Sequence, residues 1–206
     1  MMKSIIKDAL ILFVITAVAG LLLAIVNEVT KSPILQRQQE TKDEACHEVF
    51  QDAFSFEACT EEVMENPKIV LWNDNNPKVS VDEIYYAKTA DGSVLGYVFT
   101  LTTKEGYGGD ITFSMGISSD RTLNGISILA SSETVGLGLE AEDVLVPQFA
   151  GKNVDVFSYT KTGSTGPEEI DAISSATITT NAFVNAVNSG LELFDALSGE
   201  EVTVNE

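Results

Sequence analysis

Residues Asp171 to Thr180 read D-A-I-S-S-A-T-I-T-T, and five of them carry hydroxyl groups: Ser174, Ser175, Thr177, Thr179 and Thr180. The apolar periodicity that follows predicts the start of a helix here. A helix N-terminus attracts anions through its free N–H groups and its dipole, and hydroxyl groups add donors or an ester oxygen. The segment therefore suits a phosphate, while a plain helix cap is the alternative, since serine and threonine are preferred caps.

Two glycine-rich segments lie earlier in the chain, and their backbone can approach a ligand closely. Gly106-Tyr107-Gly108-Gly109 precedes a predicted strand, and Glu133-Thr134-Val135-Gly136-Leu137-Gly138 follows another. Glycine permits unusual backbone angles and close approach to the faces of a flat ligand, whose polar edge can then meet amide N–H groups. Most glycine-rich loops are ordinary turns, so each segment alone indicates little.

The first apolar segment is long enough to cross a membrane. Ala9 to Val26 contains eighteen residues without a charge, and at about 1.5 Å per residue such a helix, extended slightly at each end, spans a hydrocarbon core of about 30 Å. A cleaved signal peptide is the alternative, but its apolar region would be shorter, about 7–15 residues. Lys3 and Lys7 precede the segment, so the positive-inside rule predicts a cytoplasmic N-terminus and an extracytoplasmic chain after Glu28.

The balance of charge argues against a nucleic-acid partner. The chain has 12 basic and 31 acidic residues; without Lys3, Lys7 and Asp8, 10 and 30 remain, a net charge of −20. Nucleic-acid binding requires clustered basic residues, so no nucleic-acid partner is expected.

Cys46 and Cys59 leave a disulfide open, but their spacing is not that of a metal site.

Short segments after Lys68, divided by turn residues, predict an antiparallel sheet. The candidate strands are residues 68–72, 83–88, 93–103, 110–118, 123–130 and 154–159. Asp91-Gly92 and residues 119–122 lie at predicted hairpin turns. No interval has the length of a βαβ unit, so a doubly wound sheet is not favoured.

Helices are predicted before and after these strands, and the sheet is expected to bury one face, against the apolar stripe of the final helix. Ser32-Pro33 is expected to break the first helix, residues 34–54 to form a loosely amphipathic helix, and residues 57–67 a turn or short helix. A final helix ending before Gly199 follows from apolar residues at three- and four-residue steps. Those residues are Phe183, Val184, Val187, Leu191, Phe194 and Leu197.

Taken together and in this order, the segments resemble the family of the G subunit of the Rnf electron-transport complex, a membrane-anchored FMN-binding protein. The resemblance begins at Val26-Asn27-Glu28-Val29-Thr30-Lys31-Ser32-Pro33-Ile34, includes both glycine-rich segments, and ends at Ile170 to Thr180. It covers nearly the whole chain, and the last segment is the most specific. Residues 40–78 match least well.

The resemblance implies that Thr177 is joined to the phosphate of FMN through a phosphoester bond, which a separate flavin transferase makes. Asp171, which begins the motif, would serve recognition by that transferase or local structure. Thr179 or Thr180 is then the residue expected to begin the helix. Ser175 stands where the family usually has glycine, so its backbone must avoid a positive φ or tolerate strain. Val135 stands where the family usually has proline.

Further residues are expected to surround the cofactor. Those expected to bind it are Glu133, Thr134, Gly136, Leu137, Gly138, Ser174, Ser175, Ala176 and Thr180. Tyr107 is expected to stack on the flavin or simply to pack. Lys161 would bring a positive charge to the ring or phosphate, or is a solvated surface lysine.

The resulting expectation is an α+β fold, in which a single transmembrane helix precedes an antiparallel-sheet FMN-binding domain packed with helices. The expected divisions are a cytoplasmic N-terminus (1–8), a transmembrane anchor (9–28), a helical and polar connector (29–67), the FMN-binding domain (68–199) and a tail (200–206).

The resemblance implies a membrane protein of the bacterial cell that relays electrons within an Rnf-type ferredoxin:NAD oxidoreductase coupled to cation transport. Its partners would be the other subunits, the flavin transferase and membrane lipid. It would be a redox subunit without a general acid or base of its own. Two alternatives remain: the C subunit of a sodium-pumping NADH:quinone reductase, and a membrane-tethered interaction domain without a cofactor.

Overall fold

A single helix, α1 (Met2–Val49), begins the chain. The computed structural model describes residues 2–134 and 140–199, with side chains from residue 6 onward. The chain divides into two compact units, Met1–Thr41 and Lys42–Glu206. The most apolar stretch of α1 has a mean hydropathy of 3.0 and none of it is buried. By length and composition, α1 is therefore suited to cross a membrane, as predicted.

The predicted break at Ser32-Pro33 is wrong, because α1 passes through Pro33. An interior proline removes one helical hydrogen bond and costs about 3 kcal/mol. The leucine, glutamine, arginine and glutamate residues at 35–40 are strong helix formers, and Arg37 pairs with Glu40 at 3.1 Å. The helix therefore continues beyond the proline and ends at Val49.

Five strands of the second unit form one sheet in the order β1-β2-β3-β4-β5, with every pair antiparallel. The strands are β1 (Ser55–Ala58), β2 (Val79–Lys88), β3 (Val94–Thr103), β4 (Ile111–Ser118) and β5 (Leu123–Ser131). Both predicted hairpins are confirmed: β2 and β3 meet at Asp91-Gly92, where Gly92 has a φ of +86°, and β4 and β5 meet at residues 119–122. β1 lies where no strand was predicted.

Helices surround this sheet: α2 (Thr60–Met64), α3 (Pro67–Asn75), α4 (Ala141–Val144), α5 (Val146–Phe149) and α6 (Thr177–Ser198). The strand predicted at residues 68–72 is wrong, since this segment lies inside α3. Pro67 stands at the first turn, and Asn66 caps the helix by accepting a backbone N–H bond of 3.0 Å. Burial of Ile69 and Trp72, three residues apart, outweighs the β-propensity of the segment.

A second, small sheet pairs β6 (Ser158–Thr160) with β7 (Glu169–Asp171) in parallel. The strand predicted at residues 154–159 is therefore wrong except for its last two residues. Phe157 is buried, and its backbone N–H donates to the side chain of Asn188 on α6 at 2.8 Å. This segment thus satisfies its backbone through a helix rather than through a neighbouring strand.

The main core lies between one face of the sheet and α6. Phe113 of β4 and Phe183 of α6 are both fully buried, and their ring centroids are 4.9 Å apart. The predicted apolar stripe of α6 is confirmed, since its residues from Phe183 to Phe194 are buried and Leu197 packs against the same core. Gly199 ends the helix with a φ of +84°, as its position predicted.

The opposite face of the sheet is covered by the C-terminal end of α1, from Lys42 onward. Cys46, Val49 and Phe50 form a separate buried cluster with Ala87 and Val98 of the sheet. The helix end lies close to glycine: a Cβ added to Gly116 would be 2.7 Å from the carbonyl oxygen of Val49, whereas one added to Gly125 would be 3.9 Å from its Cα. Gly116 therefore leaves room for the helix backbone.

Replacing Gly116 by alanine is expected to lower the free energy of unfolding by about 1–3 kcal/mol, because the added methyl group overlaps a backbone atom that has little freedom to move. Gly125→Ala is the matched control and should change stability by less than about 0.5 kcal/mol. Urea unfolding of the detergent-solubilised chain, followed by fluorescence of Trp72, measures both. Equal stability of the two variants would contradict the assigned packing.

Cys46 and Cys59 are both free thiols, and they are buried in clusters on opposite faces of the sheet. Burial is the main cause that raises the pKa of each thiol to about 11. The disulfide that the sequence left open is therefore not formed in this structure.

Both thiols are expected to resist alkylation at pH 8 in the folded chain, by at least about 100-fold relative to the unfolded chain, because the thiolate is the reactive form. Because the folded chain disfavours ionisation of the two thiols, their burial contributes fully to the free energy of unfolding below pH 9. This contribution is lost as pH rises toward about 11. Mass spectrometry after timed iodoacetamide treatment, with and without urea, measures the protection. Rapid labelling of the folded chain would be inconsistent with it.

Candidate functional site

The hydroxyl-rich segment forms the turn that leads into α6 and the first turn of that helix. Thr177 is the first helical residue, and Ala176 is the N-cap, without a side-chain cap bond. The expectation that Thr179 or Thr180 begins the helix is wrong, since both lie inside its first turn. The first helical bond runs from Thr180 N to Ala176 O at 3.0 Å, so the N–H groups of Thr177, Ile178 and Thr179 have no acceptor within the helix.

Ser175 adopts a left-handed backbone conformation, with a φ of +65°. Ser175 therefore tolerates backbone strain and does not avoid a positive φ. This strain costs about 1–2 kcal/mol for a residue with a Cβ. Ser174 and Ser175 are both exposed at this turn. The turn is closed by a bond from Ala176 N to the carbonyl of Ile173 at 3.1 Å.

The hydroxyl groups of Thr179 and Thr180 are buried and bonded. Thr180 Oγ1 accepts from Ile173 N at 3.2 Å and donates to Ala176 O at 3.0 Å, which fixes the turn before the helix. Thr179 Oγ1 donates to Glu133 Oε2 at 3.0 Å. Thr177 is half-buried and lies at the surface of a cavity. The three threonines of this motif therefore have different environments.

Glu133 joins this helix to the first glycine-rich segment. Its side chain is buried, and its Oε1 accepts from the N–H of Gly108 at 3.3 Å. The glycine backbone packs closely here: a Cβ on Gly108 would be 2.2 Å from the carbonyl oxygen of Ser132, and Gly109 has a φ of +136°. The two glycines are therefore required by contact and by backbone angle, and not only by a turn.

The three segments enclose a cavity of about 350 Å³. This volume lies in the range of small-molecule sites, about 300–1,000 Å³. Its lining residues are Tyr107, Glu133, Thr134, Ser175, Ala176, Thr177, Ile178 and Thr179. Tyr107 and Thr134 are exposed at its edge, while Glu133 is buried. The cavity thus combines an aromatic ring, hydroxyl groups, a helix N-terminus and a carboxylate.

Side-chain bonds distant from the cavity fix the position of α6. The indole N–H of Trp72 donates to the carbonyl of Ser189 at 3.0 Å. The guanidinium of Arg121 donates to both carboxylate oxygens of Asp195 at 2.6 and 2.8 Å, and to the carbonyl of Val154 at 2.8 Å. These contacts hold the C-terminal half of α6 at Ser189 and Asp195, and the buried contact of Phe183 with Phe113 places its N-terminal half beside the sheet.

Other residues singled out in the sequence lie away from the lining of the cavity. Asp171 accepts from the N–H of Ser164 at 2.6 Å, and its backbone exchanges bonds of 2.7 and 3.1 Å with the side chain of Gln148. Asp171 thus orders the loop before the motif. Lys161 is exposed just after β6.

The predicted residues Gly136, Leu137 and Gly138, together with Val135, lie outside the described residues, as does the predicted tail at 200–206. Ile178 and Thr179 line the cavity although the sequence assigned no ligand to them. The position of these two residues on a helix does not indicate which loop lies beside them. Only the tertiary structure shows that they line the cavity.

Comparison with known proteins accounts for both units of the chain. Residues 1–49 match the RnfG N-terminal region, and residues 106–192 match the FMN-binding domain. The G subunit of the Na⁺-translocating ferredoxin:NAD⁺ oxidoreductase complex of Acetobacterium woodii is 36% identical over 198 residues, which cover 95% of this chain and 94% of that protein. The chain belongs to this G-subunit family. Another relative, the G subunit of the ion-translocating oxidoreductase complex of Methanosarcina acetivorans, is 34% identical and covers 96% of this chain and 98% of that protein.

Solved structures share the fold of this chain. The C subunit of the Na⁺-translocating NADH-quinone reductase of Parabacteroides distasonis superposes with a TM-score of 0.55 at 18% identity, covering 81% of this chain and 96% of that one. NqrC of Shewanella oneidensis gives a TM-score of 0.52 at 15% identity, covering 74% and 86%. At these identities the likeness concerns the fold, whereas the sequence relatives named above are G subunits. The predicted α+β fold and family are thus confirmed.

The cavity residues fit FMN, the ligand for which the matched domain is described. The N-terminus of α6 offers a phosphate the N–H groups that have no acceptor within the helix, and the exposed hydroxyls of Ser174 and Ser175 lie just before it. Tyr107 supplies an exposed aromatic ring at the edge, and the backbone of Gly108 and Gly109 lies close behind the wall of the cavity. The site thus offers N–H donors to an anion and an aromatic ring to a flat aromatic group.

Ser175→Gly is expected to raise the free energy of unfolding by about 1 kcal/mol, since glycine adopts a positive φ without a steric penalty. Ser174→Gly is the matched control. Ser174 does not have a positive φ, so the substitution should destabilise the chain by about 0.5–1 kcal/mol through chain entropy. Urea unfolding of both variants measures the difference. A stabilising Ser174→Gly with a neutral Ser175→Gly would contradict the backbone assignment.

Proposed function

We propose that this chain is a membrane-anchored flavoprotein that relays electrons through FMN within an ion-translocating ferredoxin:NAD oxidoreductase complex. The observation on which this depends is that residues of three separated segments, Tyr107, residues 133–134 and residues 175–179, line one cavity of suitable size beside the N-terminus of α6. FMN supplies the electron-carrying chemistry, and the protein supplies position and electrostatics.

Thr177 is the proposed attachment residue, through an ester between its hydroxyl oxygen and the phosphate of FMN. Thr177 and Thr179 both line the cavity, but the hydroxyls of Thr179 and Thr180 are buried and already bonded. The N–H groups of the first turn then lie where they can donate to the remaining phosphate oxygens, and the positive end of the helix dipole stabilises their charge.

The other residues bind and orient the ring system. Tyr107 offers its exposed ring at the edge of the cavity, where stacking is possible. The turn on the phosphate side is formed by Ser174, Ser175, Ala176 and Thr180. On the ring side, the proposed contacts come from Thr134 and from the predicted residues Gly136, Leu137 and Gly138. No residue is assigned as a general acid or base, because the reaction is electron transfer.

Asp171 and Lys161 are proposed to act outside the cavity. Asp171 orders the loop that precedes the attachment motif through Ser164 and Gln148, which presents a defined surface to a flavin transferase. Lys161 supplies a positive charge on that exposed loop, within a chain whose charge is strongly negative.

The membrane-spanning part is proposed to lie in the cell membrane with its N-terminus in the cytoplasm. Lys3 and Lys7 precede the apolar stretch of α1, which favours this orientation. The FMN-binding domain is then extracytoplasmic. The partners are the other proteins of the complex, membrane lipid around α1, and the flavin transferase during maturation.

Thr177→Val is expected to abolish covalent FMN, because valine has nearly the same shape but no ester oxygen. Thr41→Val is the matched control, since this exposed threonine lies on α1 and is not among the lining residues of the cavity, and it should retain the modification. The measurement is intact mass and ultraviolet fluorescence of the denatured band after co-expression with a flavin transferase. Covalent flavin in Thr177→Val, or its absence from the unaltered chain, would refute the assignment.

A further inference from the structure

One side chain in the cavity wall is a buried carboxylate. Glu133 is only 6% exposed, and both of its oxygens accept hydrogen bonds: Oε2 from the hydroxyl of Thr179 and Oε1 from the N–H of Gly108. Thr179 is itself 1% exposed. This single group therefore connects the segment before residue 135 to both other segments that form the cavity.

Both carboxylate oxygens of Glu133 have a hydrogen-bond donor. The N–H of Gly108 can only donate, and the hydroxyl of Thr179 donates to the other oxygen, so both oxygens act as acceptors. The ion pairs found in the described part of the chain do not include Glu133. A negative charge without a basic partner among the described residues therefore lies in the wall of the cavity.

We propose that Glu133 is a positioning residue with two separable effects, an inference that rests on the proposed FMN site. Its two hydrogen bonds hold the three segments in the arrangement that accepts FMN. Its charge lowers the reduction potential of FMN bound in the cavity.

The second effect follows from electrostatics. Adding electrons to a group near a fixed negative charge costs free energy, and the cost is larger in a partly dehydrated cavity than in water. Lys161, the cation expected from the sequence, is exposed and is not among the lining residues. Among the described lining residues, Glu133 alone carries a charge.

The substitution Glu133→Gln separates the two effects. A glutamine carbonyl oxygen can accept from Gly108 N, and its amide can donate to Thr179 Oγ1, whose hydroxyl then turns away. Both contacts are preserved in this way while the charge is removed. Glu133→Ala removes the charge and both contacts, and it leaves the N–H of Gly108 without its acceptor.

The experiment uses the full-length chain, co-expressed with a flavin transferase and purified in detergent. Covalent FMN is quantified by absorbance, and its midpoint potential is measured by dithionite titration against a reference dye. Glu133→Gln should retain FMN and shift the potential to more positive values, so that the ratio of reduced to oxidised flavin at a fixed potential rises about tenfold or more. Glu61→Gln changes the net charge equally at an exposed position on α2, and it should leave the potential unchanged.

The first effect is measured on the chain without flavin. Glu133→Ala should lower the thermal unfolding temperature followed by Trp72 fluorescence and, when co-expressed with the transferase, lower the fraction of flavinylated chain several-fold. Glu133→Gln should stay close to the unaltered chain in both measurements.

An unchanged potential in Glu133→Gln overturns the role of the charge, and full flavinylation with unchanged stability in Glu133→Ala overturns the role of the bonds. Absence of FMN from the unaltered chain would instead overturn the proposed function itself.

Discussion

A sheet that is apolar on both faces must be covered on both faces, and this requirement organises the second unit. β3 and β4 direct Phe99 and Phe113 to one side, where α6 packs, and Val98 to the other, where the end of α1 lies. An antiparallel sheet often leaves one face in water, but here neither face is polar enough to do so. The last turns of α1 are therefore part of the core of the domain.

The cavity is a consequence of how α6 meets the sheet. Hydrogen bonds from Trp72 to Ser189 and from Arg121 to Asp195 fix the C-terminal half of α6. The first turn of the helix faces the loops that precede β4 and follow β5. The backbone in that region is crowded, as the glycines of residues 106–109 show. The site thus combines a rigid helix start with loop segments that are held by a few specific bonds, an arrangement common in binding sites.

The sequence predicted those features in which local chemistry and tertiary structure agree. Asp91-Gly92 specifies a hairpin by itself, and the apolar stripe from Phe183 to Leu197 specifies a buried helix by itself. Residues 68–72 were wrongly predicted because β-branched side chains favour a strand, while the capping at Asn66 and the burial of Trp72 favour a helix. The convergence of the three site segments was expected from family resemblance, but the bonds of Glu133 to Thr179 and Gly108 were not, since no sequence period relates residues so far apart.

The different environments of the threonines in the motif bear on chemical selectivity. Thr177, Thr179 and Thr180 have the same functional group and therefore nearly the same intrinsic reactivity. Two of them are shielded and have their hydroxyl protons engaged, so an electrophile arriving from solvent encounters one of the three. Folding thus distinguishes Thr177 from the other two threonines of the motif, and for the proposed attachment a modifying enzyme would not have to choose among three equally accessible threonines.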